Sequence, residues 1–408
     1  MTLELDIELE ELLDGLRRFV TAEVLPREEA MQEVLADPRK IYDEAGRYTQ
    51  QIMDARREIR EAAAEAGFYQ MFVPTELGGG GQGAVALYAV WEDLYHRWGM
   101  AHWLAFDSVA HWATGPSQLF LEASDRVQRE VFPLLMAGKK TLCFAMSEPD
   151  AGSDLWMMTT SARRDGAGWR INGTKQWMTN GPYADYALVF AVTDAEASAQ
   201  RKGGLSAFLV PTTEPGYQVD SLIKIYGHIG SNEAIVSLTD TWVPDDAILG
   251  SLNNGLQLGL AGTTLGRLYN SARSVGLSRW ALETALEYAK VRTTFGTPII
   301  DYQGVSFPLV DRSIELLGAH LMGLHAARLL DAGRSAVAEA AMAKICSTEV
   351  AGRTIDQAVQ ALGGMGLTNE VHLTKAWQEL RAVRIADGSA EILRRLLVGR
   401  LQKGAVPL

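Results

Sequence analysis

Two stretches of this chain hold residues whose types and spacing could do chemistry. The first, Ser147-Glu148-Pro149-Asp150-Ala151-Gly152-Ser153-Asp154, is a turn of small and hydroxylic residues. Its backbone can therefore approach a ligand closely and offer N–H and O–H donors. The second, Gln176-Trp177-Met178-Thr179-Asn180-Gly181, predicts a strand with Trp177 and Thr179 on one face, a flat aromatic beside a hydroxyl. Such a face suits a planar cofactor with polar edges, and the same pattern also describes core aromatics and turns of an ordinary β-domain. Arg292, closing a long helical segment, is placed where a helix dipole stabilises any cation. Asp387-Gly388-Ser389, running into Glu391-Ile392-Leu393, is an ordinary helix start in which Asp387 would be the N-cap.

The elements that must position these residues change period along the chain. From Leu3 to about Gly99, Leu5, Leu9, Leu12, Leu13, Leu16 and Phe19 recur at helical spacing, and charged residues between 30 and 60 mark a solvated face. Val73 to Gly81, with four consecutive glycines and no Lys-Ser/Thr after them, is a connecting loop rather than a phosphate cradle. Helical character is predicted again from Ala84 to about Gly138. Within it, His96, His102 and His111 are spaced by six and nine, so they share no helical face and predict no metal site. Between 139 and 250 the short apolar runs Tyr186–Val192, Leu205–Val210 and Ala234–Leu238, bounded by Gly, Pro, Asp and Asn, predict strands; Asp165-Gly166 and Asn172-Gly173 predict hairpin turns. Long helical runs follow at Gly259 to Lys290, Ser306 to Leu330, Ser335 to Leu362 and Asp387 to Gln402, a helical bundle. The expected class is α+β, with a helical segment 1–138, a barrel-like β-sheet segment 139–250 and a four-helix bundle 251–408.

A chain of 408 residues, 47% hydrophobic and 22% charged, can bury a large core in two or three units. A formal charge of −12 argues against a nucleic-acid backbone or an anionic membrane as the main partner, since both need a positive surface. No run of about 18 apolar residues predicts a membrane helix. Cys143 and Cys346 are too few for a disulfide framework, which makes a reducing compartment the default. The acidic N-terminus has neither a secretory nor an Arg-rich transit pattern, so the expected location is cytoplasmic.

SEPDAGSD followed by INGTKQWMTNG resembles the paired signatures of the acyl-CoA dehydrogenase family, FAD-dependent enzymes that desaturate acyl thioesters. Arg292-Thr293-Thr294-Phe295-Gly296 is similar to that family's Arg-x-x-Phe-Gly, and Gln360-Ala361-Leu362-Gly363-Gly364-Met365-Gly366 to its Gln-x-x-Gly-Gly-x-Gly. The resemblance implies FAD contacts from Phe144, Met146, Ser147, Trp177, Thr179, Arg292, Phe295, Gln303, Gln360, Gly364, Ser389 and Glu391. Some of these contacts would cross a subunit boundary in a homotetramer. It places Ser153, Asp107, Arg267 and Gly388 toward an acyl-CoA or acyl-carrier thioester. An electron-transferring flavoprotein is the implied electron acceptor.

The family's base is usually Glu in a Glu-Gly-Thr string, and the matching string here reads Asp387-Gly388-Ser389. The other position used by relatives, immediately before an Arg, is Gly266 here, which leaves Asp387 as the implied catalytic base. It would take the α-proton while hydride leaves Cβ for flavin N5, with the Asp387 N–H polarising the thioester carbonyl. Aspartate is shorter than glutamate by one methylene, about 1.5 Å. That departure points to a cyclic, branched or otherwise unusual acyl group, and it also occurs in relatives such as nitroalkane oxidase. An oxidase on the same scaffold and a low-turnover flavin-binding regulatory protein are the alternative readings. Asp107 is a further carboxylate that could take a proton from a more distant ring carbon.

Overall fold

The computed structural model describes residues 6–226 and 230–404. It divides into two compact units. Among the described residues, one comprises those up to Arg17, Gly83–Phe106 and those from Thr263 onward; the other comprises those of Arg18–Gln82 and Asp107–Gly262.

The second unit is built on a mixed sheet. Its strands are β1 (Leu142–Ala145), β2 (Ser161–Asp165), β3 (Gly168–Thr179), β4 (Tyr186–Val192), β5 (Leu205–Pro211), β6 (Tyr217–Leu222), β7 (Glu233–Pro244) and β8 (Ile248–Leu249). They run in the order β6-β7-β3-β2-β4-β5-β8, with β1 parallel to β4. Strands β4 and β5 are buried along almost their whole length, which is why they read as unbroken apolar runs rather than alternating ones. Cys143, Ile171, Met178, Val189, Phe208, Val236 and Val243 meet in one core cluster.

Three expectations change here. No ladder joins β6 to β8 among the described residues, so the sheet is open and the barrel-like description does not hold. Asp165-Gly166 does lead the β2–β3 hairpin, in which Asp165 pairs with Gly168, but Asn172-Gly173 lies inside β3 at a register shift. Gly173 is needed there because a Cβ would come within 2.3 Å of Thr160 Oγ1. The helix predicted from Ala84 to about Gly138 ends at Trp98, and the rest is 3-10 turns, loops and short helical turns. Gly99, Gly115 and Pro116 interrupt the helical path, while Trp112 and Phe120 are buried without helical periodicity.

The first unit is helical. Gly255–Val291, Gln303–Asp331 and Val337–Leu362 are its long helices, the first beginning before Thr263, followed by Leu373–Val383 and Ala390–Gln402. The Leu373–Val383 helix was absent from the sequence reading. Val337–Leu362 buries Ala338, Ala340, Ala341, Ala343, Ala351 and Ala358, small side chains that let neighbouring helices approach closely.

Candidate functional site

In the sheet unit the signature turn is held from beneath by a buried ion pair. Lys175, on β3, donates to the Met146 carbonyl at 3.2 Å and to Glu148 Oε1 at 2.9 Å. Both side chains are sequestered from solvent. Glu148 accepts further bonds from Thr159 N, Thr159 Oγ1 and Thr160 N, at 2.7, 2.8 and 3.0 Å. Burial alone would raise this carboxyl, but the Lys175 charge and the bonds from Thr160 and Thr159 together hold it at about 2. The turn closes by reciprocal bonds between Glu148 and Ala151, and the Ser147 carbonyl accepts from Gln176 N at 2.9 Å. Ser147 is thereby fixed beside β3 with its hydroxyl unbonded among the described residues.

Strand β3 is not regular where the ligand face was expected. Its pairing with β7 slips between Lys175 and Met178, and Trp177 has φ 61°. Lys175 points into the core, so strict alternation would have sent Trp177 and Thr179 inward as well. The bulge adds one residue and inverts the phase. Met178 is buried instead, Trp177 is 53% exposed, and Thr179 is exposed beside it. The shared face exists because of the bulge. Phe144, half-buried, packs against Trp112 and Phe190 at ring centroid distances of 5.1 and 4.9 Å, and Met146 is buried. Ser153 is exposed.

Asp107 is no free carboxylate. Arg56 holds it through both oxygens at 2.8 and 3.1 Å, with Arg60 at 3.5 Å. Two guanidiniums claim the acceptors that a proton would need. The expectation of a second acid or base at Asp107 is accordingly withdrawn.

In the helical unit, Asp387 stands on the turn between the last two helices with φ 52°, and Gly388 follows at φ 94°. The helix cap is Ser389, whose Oγ accepts from Ile392 N at 3.4 Å, so Asp387 is released from the capping role. Asn270 Nδ2 donates to Asp387 Oδ2 at 2.7 Å, and the other carboxylate oxygen accepts nothing among the described residues. Arg267, itself buried, donates from Nε to the Asp387 carbonyl at 3.4 Å. Burial pushes the Asp387 carboxyl above the ordinary range, against the opposing pull of Lys344, Asn270, Arg267 and Arg273. Lys344, buried on Val337–Leu362, donates to the carbonyls of Ala386 and Gly388. Burial also brings its ammonium down to about 8. Glu391 is exposed in the first turn of the last helix.

The remaining candidates are outward-facing. Phe295 and Gly296, at φ 52° and 80°, form the two-residue turn between β9 (Thr293–Thr294) and β10 (Thr297–Pro298). Two positive φ values are what a type I′ hairpin turn requires. Phe295 is 99% exposed at its tip. Arg292, Gln303 and Gln360 are exposed, and their side chains make no bonds among the described residues. A Cβ added at Gly363 or Gly364 would meet open space.

The sequence reading missed Asn270 and Lys344. A signal existed for the lysine: Lys344 falls on the helical face defined by Ala340, Ala341, Ser347, Thr348 and Ala351, all buried. A charge in that stripe needs partners. A separate cavity of about 350 Å³, lined by residues including Glu349, Arg353, Trp377 and Arg384, contains none of the candidates.

Three family models match in succession: acyl-CoA dehydrogenase N-terminal domain at residues 6–139, middle domain at 143–240 and C-terminal domain at 253–402. The chain is 35% identical to the human mitochondrial short-chain specific acyl-CoA dehydrogenase over 335 residues, 82% of this chain and 80% of that one. It is 30% identical over 379 residues to the caffeyl-CoA reductase-Etf complex subunit CarC of Acetobacterium woodii, covering 93% and 97%. Among solved structures, the glutaryl-CoA dehydrogenase of Mycobacterium smegmatis in complex with FADH2 superposes with a TM-score of 0.81 at 27% identity, covering 98% and 95%.

Proposed function

This chain belongs to the acyl-CoA dehydrogenase family, FAD-dependent oxidoreductases of acyl-CoA thioesters, and on that premise we propose that Asp387 is the base that removes the α-proton of its substrate. The observation that carries this reading is the state of its carboxylate. One oxygen is oriented by Asn270, the other is unengaged among the described residues, and burial raises its proton affinity above the ordinary carboxylate range, the direction a general base needs.

The residues present fit a flavin dinucleotide. In the sheet unit, Trp177 and Thr179 offer a flat face with a hydroxyl and Ser147 a second hydroxyl; in the helical unit, taken by itself, Arg292, Phe295, Gln303, Gln360 and the open glycines 363 and 364 offer a cation, a ring, amides and close backbone approach for a diphosphate. A bound flavin would supply the acceptor for the hydride that leaves Cβ. Asp387 holds the α-proton at its carboxylate, while Arg267, Gly388, Ser389, Glu391 and Ser153 are assigned to substrate and cofactor contacts by motif position.

The shorter aspartate supports an acyl group whose Cα lies differently from that of a straight chain. Anaerobic titration with straight, branched, aromatic and alicyclic acyl-CoAs, saturated and 2,3-unsaturated, tests this. Bleaching of the flavin by a saturated branched or cyclic member in preference to a straight-chain one is expected. Bleaching by none would remove the desaturation reading.

An electron-transferring flavoprotein is the proposed acceptor, consistent with the name of the Acetobacterium woodii relative. Reduced enzyme should pass electrons to it rather than rapidly to oxygen, and fast peroxide formation with substrate bound would favour an oxidase. A homotetramer is supported by the helix Gln303–Asp331, which exposes Phe307, Val310, Ile314 and Leu321 along one face, together with the wholly exposed Phe295. We also propose segment boundaries at 1–138, 139–250 and 251–408. Limited proteolysis cutting near residues 138 and 250 would support them.

A further inference from the structure

Lys344 has no catalytic assignment, yet its position is unusual for a lysine. It is 1% exposed, and its Nζ spends two of its donors on carbonyls two residues apart, those of Ala386 and of Gly388, the latter at 2.6 Å. Arg267 takes the intervening carbonyl, that of Asp387. Three successive carbonyls are therefore turned toward two cations carried by two different helices.

A trans peptide points its N–H opposite to its C=O, and no peptide in the described residues is cis. Fixing the Ala386 carbonyl on Lys344 thus aims the Asp387 N–H away from Lys344. Fixing the Asp387 carbonyl on Arg267 does the same for the Gly388 N–H. Neither N–H donates to an acceptor among the described residues. The arrangement needs the left-handed backbone at Asp387, φ 52°, which a non-glycine residue adopts at a cost and which the surrounding contacts must enforce. A carbonyl bound to a cation also polarises its peptide, so the N–H at its other end becomes a stronger donor.

Removing a proton next to a carbonyl moves negative charge onto the carbonyl oxygen. A donor held ready for that oxygen beside the base lowers the barrier. We propose that Lys344 is the positioning residue of this site: by clamping the Ala386 and Gly388 carbonyls it presents the Asp387 N–H to the thioester oxygen that becomes enolate-like as the Asp387 carboxylate takes the α-proton. This rests on the reading of the Asp387 turn as the substrate-facing element. Lys344 itself touches no reacting atom.

The test uses FAD-loaded full-length protein and acetoacetyl-CoA. This probe cannot be desaturated in the usual way, but its acidic α-proton ionises more readily when its carbonyls are polarised. The ionised fraction is read from near-UV absorbance of the bound probe, independently of turnover. Wild-type protein is expected to ionise the bound probe at a pH where the free probe is neutral. Lys344→Met should lower the apparent ionisation constant by about tenfold or more, the size of effect expected for losing an oriented donor. It should also cut the flavin reduction rate more than it raises KM. Lys344→Arg should recover part of both.

An unshifted probe in the wild type, or an unchanged ionised fraction in Lys344→Met with wild-type flavin content and circular dichroism, would overturn the proposal. Lys344→Leu, which likewise carries no donor, covers the case in which the Met variant does not fold. A wild-type ionised fraction in that variant overturns the proposal equally. Asp387→Asn, run alongside, separates the two readings. It should keep probe ionisation and lose flavin reduction; if it reduces flavin normally, the base assignment fails while the Lys344 measurement still stands or falls by itself.

Discussion

At the scale of single residues, Asp387 sets the sharpest expectations. Asp387→Asn keeps shape and the Asn270 contact but removes the proton acceptor, so substrate-driven flavin reduction should fall by several orders of magnitude in stopped flow, with flavin content unchanged. A stability signature accompanies it. The folded-state affinity of Asp387 for its proton is raised, so its contribution to stability is present below the ordinary carboxylate range of about 4 and is lost as pH rises through the folded value. Ionising the buried carboxylate above that range therefore costs stability that Asn does not lose. The Tm of Asp387→Asn relative to wild type should increase as pH rises above about 4; a difference that stays flat would contradict the burial argument. Asp387→Glu restores the missing methylene. It should raise kcat/KM for straight-chain acyl-CoAs relative to the best native substrate, and an unchanged ratio would detach substrate choice from the length of the base.

At the scale of elements, two features position the groups proposed to meet the cofactor. The Glu148–Lys175 pair supports the signature turn from inside the core. Glu148→Gln leaves Lys175 buried without its counter-charge, for which a loss of about 3–5 kcal/mol is typical. Because the Glu148 carboxyl is held down at about 2, its contribution is full above the unfolded value near 4 and fades as pH falls toward 2. The deficit of the variant, measured by urea unfolding, should therefore shrink over that window; a deficit independent of pH would point to packing instead. The β9–β10 hairpin presents Arg292 and Phe295 to the outside with no internal bonds to the Arg292 guanidinium among the described residues. Arg292→Ala should leave Tm of the flavin-free protein within about 1 kcal/mol-equivalent of wild type, as surface substitutions do, while lowering FAD retained through gel filtration. Full retention would remove the reason for assigning Arg292.

At the scale of the whole molecule, the apolar stripe of the Gln303–Asp331 helix is the surface proposed to meet another subunit. Ile314 is 64% exposed in the middle of it. Ile314→Asp places a charge where a buried contact is proposed, and light scattering should show a shift below four times the 44.5 kDa subunit mass. Flavin content should fall with it if cofactor contacts cross the subunit boundary. A wild-type particle that is already monomeric yet fully loaded with FAD would refute the tetramer. No helix among the described residues is long and apolar enough to cross a membrane.

What the sequence determined by itself depends on local physics. Buried strands β4 and β5 were legible as apolar runs, the long helices as periodic ones, and the Ser147 turn as small-residue chemistry, because each is decided within a few residues. The family motifs likewise lie in contiguous strings. Tertiary structure decided the rest, through contacts between residues far apart in the chain. Asn270 meets Asp387 across 117 positions, Lys344 reaches the Ala386 carbonyl across 42, and Arg56 takes Asp107 across 51. No periodicity encodes those separations. The outward turn of Trp177 belongs to the same class, since the phase of β3 is set by its slip against β7 and by the inward anchoring of Lys175, not by alternation along the strand itself.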